Sequence, residues 1–257
     1  MTNLEQLEFY RMYHAFQLGR EIKYAAKFKK ELIKQQQVFI EQIEKGVDFN
    51  TALNAIPFEG MYILEKELYN ECATVWGAKV RLSVLRLQTT QNKARSPIGF
   101  NAEMVRLMTE YFLTDWFAII EGISETTKEE IRKVLIKAQL ESWSINEIVR
   151  AIENEELTAM RARRIARTET NTAANQAGRF AAKATGVKLN KIWIATKDNR
   201  TRHDHSAVNG KIVGIDETFN VGGFPMLQPG DRGESGKKTP AKEIVNCRCT
   251  SAYLPIK

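Results

Sequence analysis

The chain has 257 residues, 43% of them apolar and 27% charged, with a formal net charge of +7. Those proportions belong to a protein that buries a core, and they exclude disorder as its main state. Trp116-Phe117-Ala118-Ile119-Ile120 is about the longest apolar run, well short of the roughly 18 residues that cross a bilayer, so no membrane partner is expected.

The opening Met1-Thr2-Asn3-Leu4-Glu5-Gln6-Leu7-Glu8 carries two acids and no basic leader segment, and so does not read as a secretory signal. Three cysteines do not make a disulfide framework, and synthesis in a reducing cytoplasm is expected. A first helix is predicted from Leu4 to Lys45, roughly 60 Å long at ~1.5 Å per residue. Phe28, Leu32, Phe39 and Ile43 form its apolar stripe, and Gln35 and Gln36 fill the missing turn. The stripe suits a helix-bundle core; the polar step would also suit a helix that docks outside the globule. Leu64, Leu68, Cys72, Trp76, Val80, Val84 and Leu87 form a second stripe, with Cys72 in the core. Val105, Met108, Phe112, Trp116 and Ile119 form a third. Pro57 and Ser96-Pro97 punctuate between helices. Thr127-x-x-Glu130 and Ser144-x-x-Glu147 read as capping boxes, each opening a shorter helix.

Near residue 155 the composition breaks. Residues 1–155 carry 20 Lys/Arg and 22 Asp/Glu, against 18 and 9 in 156–257, which also hold nine of the 15 glycines. Two domains are expected: a helical region over 1–155 and a basic α+β domain over 156–257. The basic half implies a polyanionic partner, either nucleic acid or an acidic protein surface.

The basic domain opens on an alanine-rich helix, about Leu157 to Thr185. Arg164, Thr168, Thr172, Asn175 and Arg179 share one face, and Arg161, Arg163 and Arg167 crowd the first turns. Cations at a helix start oppose the macrodipole. Arg161, Arg163, Arg164 and Arg167 are therefore candidates for binding DNA or another anion; a solvated face, or pairing with acids such as Glu169, is the alternative. After Gly186 come strand signals at Lys191–Ala195 and Lys211–Val213, the latter after the turn dipeptide Asn209-Gly210. Gly222-Gly223-Phe224-Pro225 and Pro229-Gly230-Asp231 mark loops. A last strand is expected from Ile244 to Leu254, with Cys247, Cys249 and Ser251 on one face.

Two clusters carry chemistry. Asp198 to His205 packs two acids, two arginines and two histidines into eight residues, and Cys247-Arg248-Cys249 sets two thiols two residues apart. If both segments are extended, His203, His205, Cys247 and Cys249 present four N/S donors, the set of a tetrahedral zinc site. The alternative is buried thiols and hydrogen-bonding histidines without metal. No Gly-x-Ser-x-Gly elbow is present, and no acidic cluster completes an oxygen-rich metal site. A metal-dependent nuclease or toxin-like enzyme is the weaker reading, and a free nucleic-acid-binding protein of the host cell is a third.

The order Ala166-Arg167-Thr168-Glu169, Trp193, Asp198-x-Arg200-Thr201-Arg202-x-x-His205 and Gly210 resembles the phage Mu F-like minor head protein family. Phe219, Asp231 in Pro229-Gly230-Asp231, and the closing Asn246-Cys247-Arg248-Cys249 extend the likeness, which covers about 157–252 and weakly reaches back to about 100. In some relatives the positions of Arg202 and His205 are both cysteines, and a histidine-proline precedes the closing motif, which looks like a zinc site. His205, Cys247 and Cys249 would be its surviving members, so the expectation here is no cofactor, with zinc as the alternative. The resemblance implies a structural, non-enzymatic minor capsid protein associated with the portal and other head proteins. It also implies a role in head assembly and in packaging or ejection of DNA, at the portal vertex of the virion. Some relatives carry a toxin domain after the family domain; here Lys257 lies eight residues past Cys249, and no such domain is expected.

Overall fold

The computed structural model describes residues 2–87, 99–233 and 238–256, with the side chains of residues 3 and 115–118 set aside. The Ser96-Pro97 break and the Trp116 side chain lie outside the described residues. The elements run α1 (Asn3–Glu44), α2 (Phe49–Asn54), α3 (Glu59–Glu71), a π-helical turn (Cys72–Trp76), α4 (Gly77–Leu87), α5 (Phe100–Glu141), α6 (Ile145–Ile152) and α7 (Glu155–Lys183). Then come β1 (Leu189–Ile194), α8 (His203–Ala207), β2 (Ile212–Gly214), β3 (Phe219–Val221), β4 (Phe224–Met226), α9 (Ala241–Ile244) and β5 (Thr250–Pro255). Long helices followed by small antiparallel sheets make the chain α+β.

The chain divides into two compact units, one of residues 1–21, 67–111 and 167–257, the other of 22–66 and 112–166. In the second, Phe39, Ile40 and Ile43 of α1 pack with Leu53 and Ile56, with Ile131 and Ala138 of α5, and with Ile148 and Ile152 of α6. The glutamine step faces inward. Gln35 Nε2 donates to the Pro57 carbonyl at 2.8 Å, and Gln36 Nε2 donates to the Ile152 carbonyl at 3.0 Å and to Thr158 Oγ1 at 3.1 Å. These amides satisfy backbone oxygens at chain breaks, which is why they interrupt an apolar stripe.

The capping box at Ser144 forms as expected, with Ser144 Oγ and the Glu147 carboxylate exchanging bonds with each other's backbone N–H. The one expected at Thr127 does not. Helix α5 runs through it, and the Thr127 hydroxyl donates back to the Ile123 carbonyl at 3.0 Å. Thr127 is buried, and tertiary packing overrides a local start signal.

In the first unit, Trp76 at the end of the π turn is ringed by Phe9, Tyr13 and Phe16, with centroids 5.2–5.6 Å away. The sheet order is β2-β1-β5, all antiparallel, with Trp193 opposite Ser251 and Lys191 opposite Val213. Strands β3 and β4 pair across Gly222-Gly223, so that glycine pair is a hairpin turn rather than a plain loop. The last strand starts later than expected. Ile244 closes α9, Asn246 takes φ +60°, and only Thr250 begins β5, so Cys247 and Cys249 precede the strand.

The polar face of α7 is the seam of this unit. Asn175 Oδ1 accepts from Thr250 Oγ1 at 3.0 Å and from Ser251 N–H at 3.1 Å, on the strand side that β1 leaves unpaired. Asn171 and Asn175 both donate to Tyr13 Oη and to the Cys249 carbonyl, at 2.9–3.1 Å. Thr172 Oγ1 donates to the Gly230 carbonyl at 3.2 Å. A helix carrying this many buried amides and hydroxyls holds one register, because a slip would strand each of them unpaired.

Candidate functional site

Three of the four expected metal donors meet. The His205 Nδ1 atom lies 3.6 Å from Cys247 Sγ and 3.5 Å from Cys249 Sγ, and all three residues are buried. On its other side His205 Nε2 stands 3.1 Å from Glu243 Oε2, with Glu243 only 2% exposed. Trp193 and His205 meet edge to face at 5.5 Å, and Phe219, Val221 and Met226 complete the apolar wall with the two cysteines.

His203 is not in the group. An extended segment would have set it beside His205, but residues 203–207 form a turn of helix, where positions two apart point to nearly opposite sides. Its side chain is 96% exposed and lies beside Asp204. Glu243 was not legible as a site residue: nothing in the sequence ties it to a histidine 38 positions earlier. It arrives through α9, a four-residue helix entered from Pro240, and the β3–β4 turn closes over it. Gly222 has φ +56°, and a Cβ there would fall 2.7 Å from Asp204 Oδ2 and 3.3 Å from Glu243 Oε1.

Hydrogen bonding from Cys247, then His205, draws Cys249 well below the ordinary thiol range, while the same partnership and burial push Cys247 up. Cys249 is thus the more acidic sulfur, as metal ligation and nucleophilicity both require.

The donor set passes a test of fit for zinc. With Zn–S near 2.3 Å and Zn–N near 2.0–2.1 Å, the sulfur-to-nitrogen edge of a tetrahedron is about 3.6 Å. The two observed separations match that edge. Arg202 supplies no donor; its guanidinium binds the Val245 carbonyl.

The remaining motif residues hold the frame of this site. Arg248 grips Asp198 with both nitrogens, at 2.5 and 3.0 Å, and that pairing holds the Asp198 carboxyl well below the usual range. Asp198 also accepts the Arg200 N–H at 3.1 Å, while the Arg200 side chain stays exposed. Thr168 Oγ1 accepts the Asn246 N–H at 3.0 Å, which secures the left-handed residue before Cys247. Asp231 accepts the N–H groups of Leu227 and Gly233, and Gly210, at φ +78°, donates to the Trp193 carbonyl at 2.8 Å. Glu169 pairs with neither Arg164 nor Arg167 but with Arg232 at 2.5 Å, and it takes the Tyr69 hydroxyl at 3.2 Å.

The four candidate anion-binding arginines differ in their surroundings. Arg161 is buried and donates to Glu130 at 2.9 Å, and to the Ile123 carbonyl and Thr127 Oγ1 at 2.6 Å. Arg167 makes a two-nitrogen pair with Glu21, at 2.5 and 3.0 Å. Arg163 and Arg164 are exposed.

Residues 129–252, just under half of the chain, match the family model described as phage Mu protein F like protein. The chain is 37% identical over 127 residues to NAD(+)--arginine ADP-ribosyltransferase EFV of Enterococcus faecalis, covering 48% of this chain and 25% of that protein. It is 35% identical over 102 residues to Minor head protein GP7 of Bacillus phage SPP1, covering 38% of this chain and 31% of that protein. The match thus spans a third or less of either curated relative. No solved structure matches the chain. Residues 129–252, which match the phage Mu protein F like model, hold every motif residue quoted above, and that match together with the head-protein relative supports a structural protein of a phage.

Proposed function

We infer that this chain is a structural minor head protein of a tailed phage, carried in the virion at the portal vertex. Its partners are the portal and other head proteins, and its task lies in head assembly and in packaging or ejection of DNA. The observation that carries this reading is how the family motif is used. Glu169–Arg232, Thr168–Asn246 and Asp198–Arg248 are fold-holding contacts, and the His–Cys–Cys group is enclosed. In this reading the motif residues hold the fold, and the surfaces around them meet partners. The long helices of residues 1–155 supply the surface for the portal, and the exposed Arg163 and Arg164 supply phosphate contacts to DNA.

In this reading the His205, Cys247 and Cys249 group is a structural zinc clasp. Zinc there would tie α8 to the segment before β5 across 42 positions of chain, and its binding free energy would count as folding free energy. The donor spacing described above supports this.

The test is recovery of the tagged chain from infected cells and from purified virions. Portal protein should co-purify with it, and the chain should be present in mature particles. Its absence from virions would overturn the assignment. Nicking of plasmid in Mg²⁺ or Zn²⁺ would favour the nuclease alternative. Transfer of ADP-ribose from NAD⁺ to an arginine acceptor would show that the activity in the Enterococcus relative's name extends to this chain.

A further inference from the structure

We propose that Glu243 is the positioning residue of a three-donor clasp in this chain, holding His205 so that Nδ1, not Nε2, joins the Cys247 and Cys249 sulfurs on a thiophilic divalent ion. The proposal rests on the metal reading above and adds to it the ligand atom, the number of donors and the group that orients them.

A neutral imidazole carries one N–H, and the hydrogen bond made by one nitrogen decides what the other can do. Glu243 Oε2, 3.1 Å from Nε2, takes that proton in a bond, leaving the Nδ1 lone pair toward two sulfurs at 3.5 and 3.6 Å. The opposite tautomer would aim an N–H at the sulfurs and leave a carboxylate of 2% exposure facing a bare nitrogen lone pair. That pairing is repulsive in a buried setting, so the carboxylate selects the ligating tautomer. Bonded to the far edge of the ring, Glu243 orients the ligand and is not one itself.

Charge favours the same set. Two thiolates and a neutral imidazole cancel a dication, so the enclosed centre carries no net charge and avoids most of the cost of burying one. Glu243 has its own counter-ion in Lys242, whose Nζ lies 3.6 Å from Oε1. Among the described residues no further His, Cys, Asp or Glu joins the three donors, and Arg202 turns to the Val245 carbonyl. The protein itself therefore supplies three donors.

The experiment is a cobalt(II) titration of the reduced, full-length chain. Wild type should bind one cobalt per chain, with a thiolate-to-cobalt charge-transfer band that zinc abolishes. Cys247→Ser with Cys249→Ser should remove the band. Glu243→Gln should keep the band but weaken cobalt binding roughly 10- to 100-fold, the usual effect of losing such an orienting partner. Wild-type affinity in Glu243→Gln would overturn the positioning role and leave the metal reading standing. No cobalt band in the wild type would overturn both. A second measurement needs no variant: the ¹⁵N shifts of His205 in the zinc-loaded protein should show a metallated Nδ1 and a protonated Nε2. The reverse assignment would refute the proposal.

Discussion

Lys191 sits at the centre of β1, fully buried, with Nζ donating to the Ile215 carbonyl at 2.9 Å and lying 5.4 Å from the Phe219 ring centroid. Burial, aided by Arg179 and opposed by Asp216, Asp231 and Glu217, pushes its pKa from the ordinary 10.5 down to about 7. The perturbation is Lys191→Met, which keeps the length and removes the charge. Below pH 7 the ammonium is charged in folded and unfolded chains alike, and the whole burial cost stands. Between about 7 and 10.5 the unfolded chain holds a proton that the folded chain has released. Unfolding then takes up a proton, so wild-type stability rises with pH until both forms are neutral. At ~1.4 kcal/mol per unit, about two effective units between pH 6 and 9 give wild type roughly 3 kcal/mol that the variant does not gain. Loss of the donor to Ile215 costs the variant ~1 kcal/mol at any pH and does not alter the slope. Urea unfolding of both proteins at pH 6, 7.5 and 9 measures the difference, and other titrating groups cancel in it. Parallel stability profiles would refute the reasoning.

Arg232→Ala should destabilise by roughly 3 kcal/mol in urea, because Glu169, 4% exposed, loses its counter-ion; removing both charges with Glu169→Leu should restore most of it. Gly230→Ala should cost about 1–3 kcal/mol, since φ is +83° and a Cβ would lie 2.9 Å from Thr172 Cα; a thermal melt unchanged from wild type would contradict the packing described. The arginines of α7 should separate by assay. Arg161→Ala should lower the melting temperature, because it leaves Glu130 and the Ile123 carbonyl without their donor. Arg163→Ala with Arg164→Ala should leave the melt intact and weaken DNA binding at low salt, with a shallower salt dependence.

The helical stripes, the Ser144 cap, the strands at Lys191 and Ile212 and the α+β class were legible in the sequence, because local periodicity and capping chemistry act over a few residues. Motif order also named His205, Cys247 and Cys249 as candidates, though not their meeting. Where the sequence misled, a distant partner outweighed a local signal. Thr127 looks like a helix start but is buried beneath Arg161, and its hydroxyl returns to the Ile123 carbonyl. His203 looks equivalent to His205 until residues 203–207 turn into helix and part them. The four arginines at the start of α7 read alike as anion-binding candidates because spacing cannot show that Glu21 and Glu130 claim two of them. Spacing likewise cannot show that Glu243, Cys247 and Cys249 come to one imidazole, a meeting arranged by α9, the left-handed Asn246 and the seam of α7. Residue types and local elements were the sequence's to determine. Which buried polar group finds which partner was decided only when the chain closed on itself, because an unpaired buried charge or amide costs more than a good contact contributes.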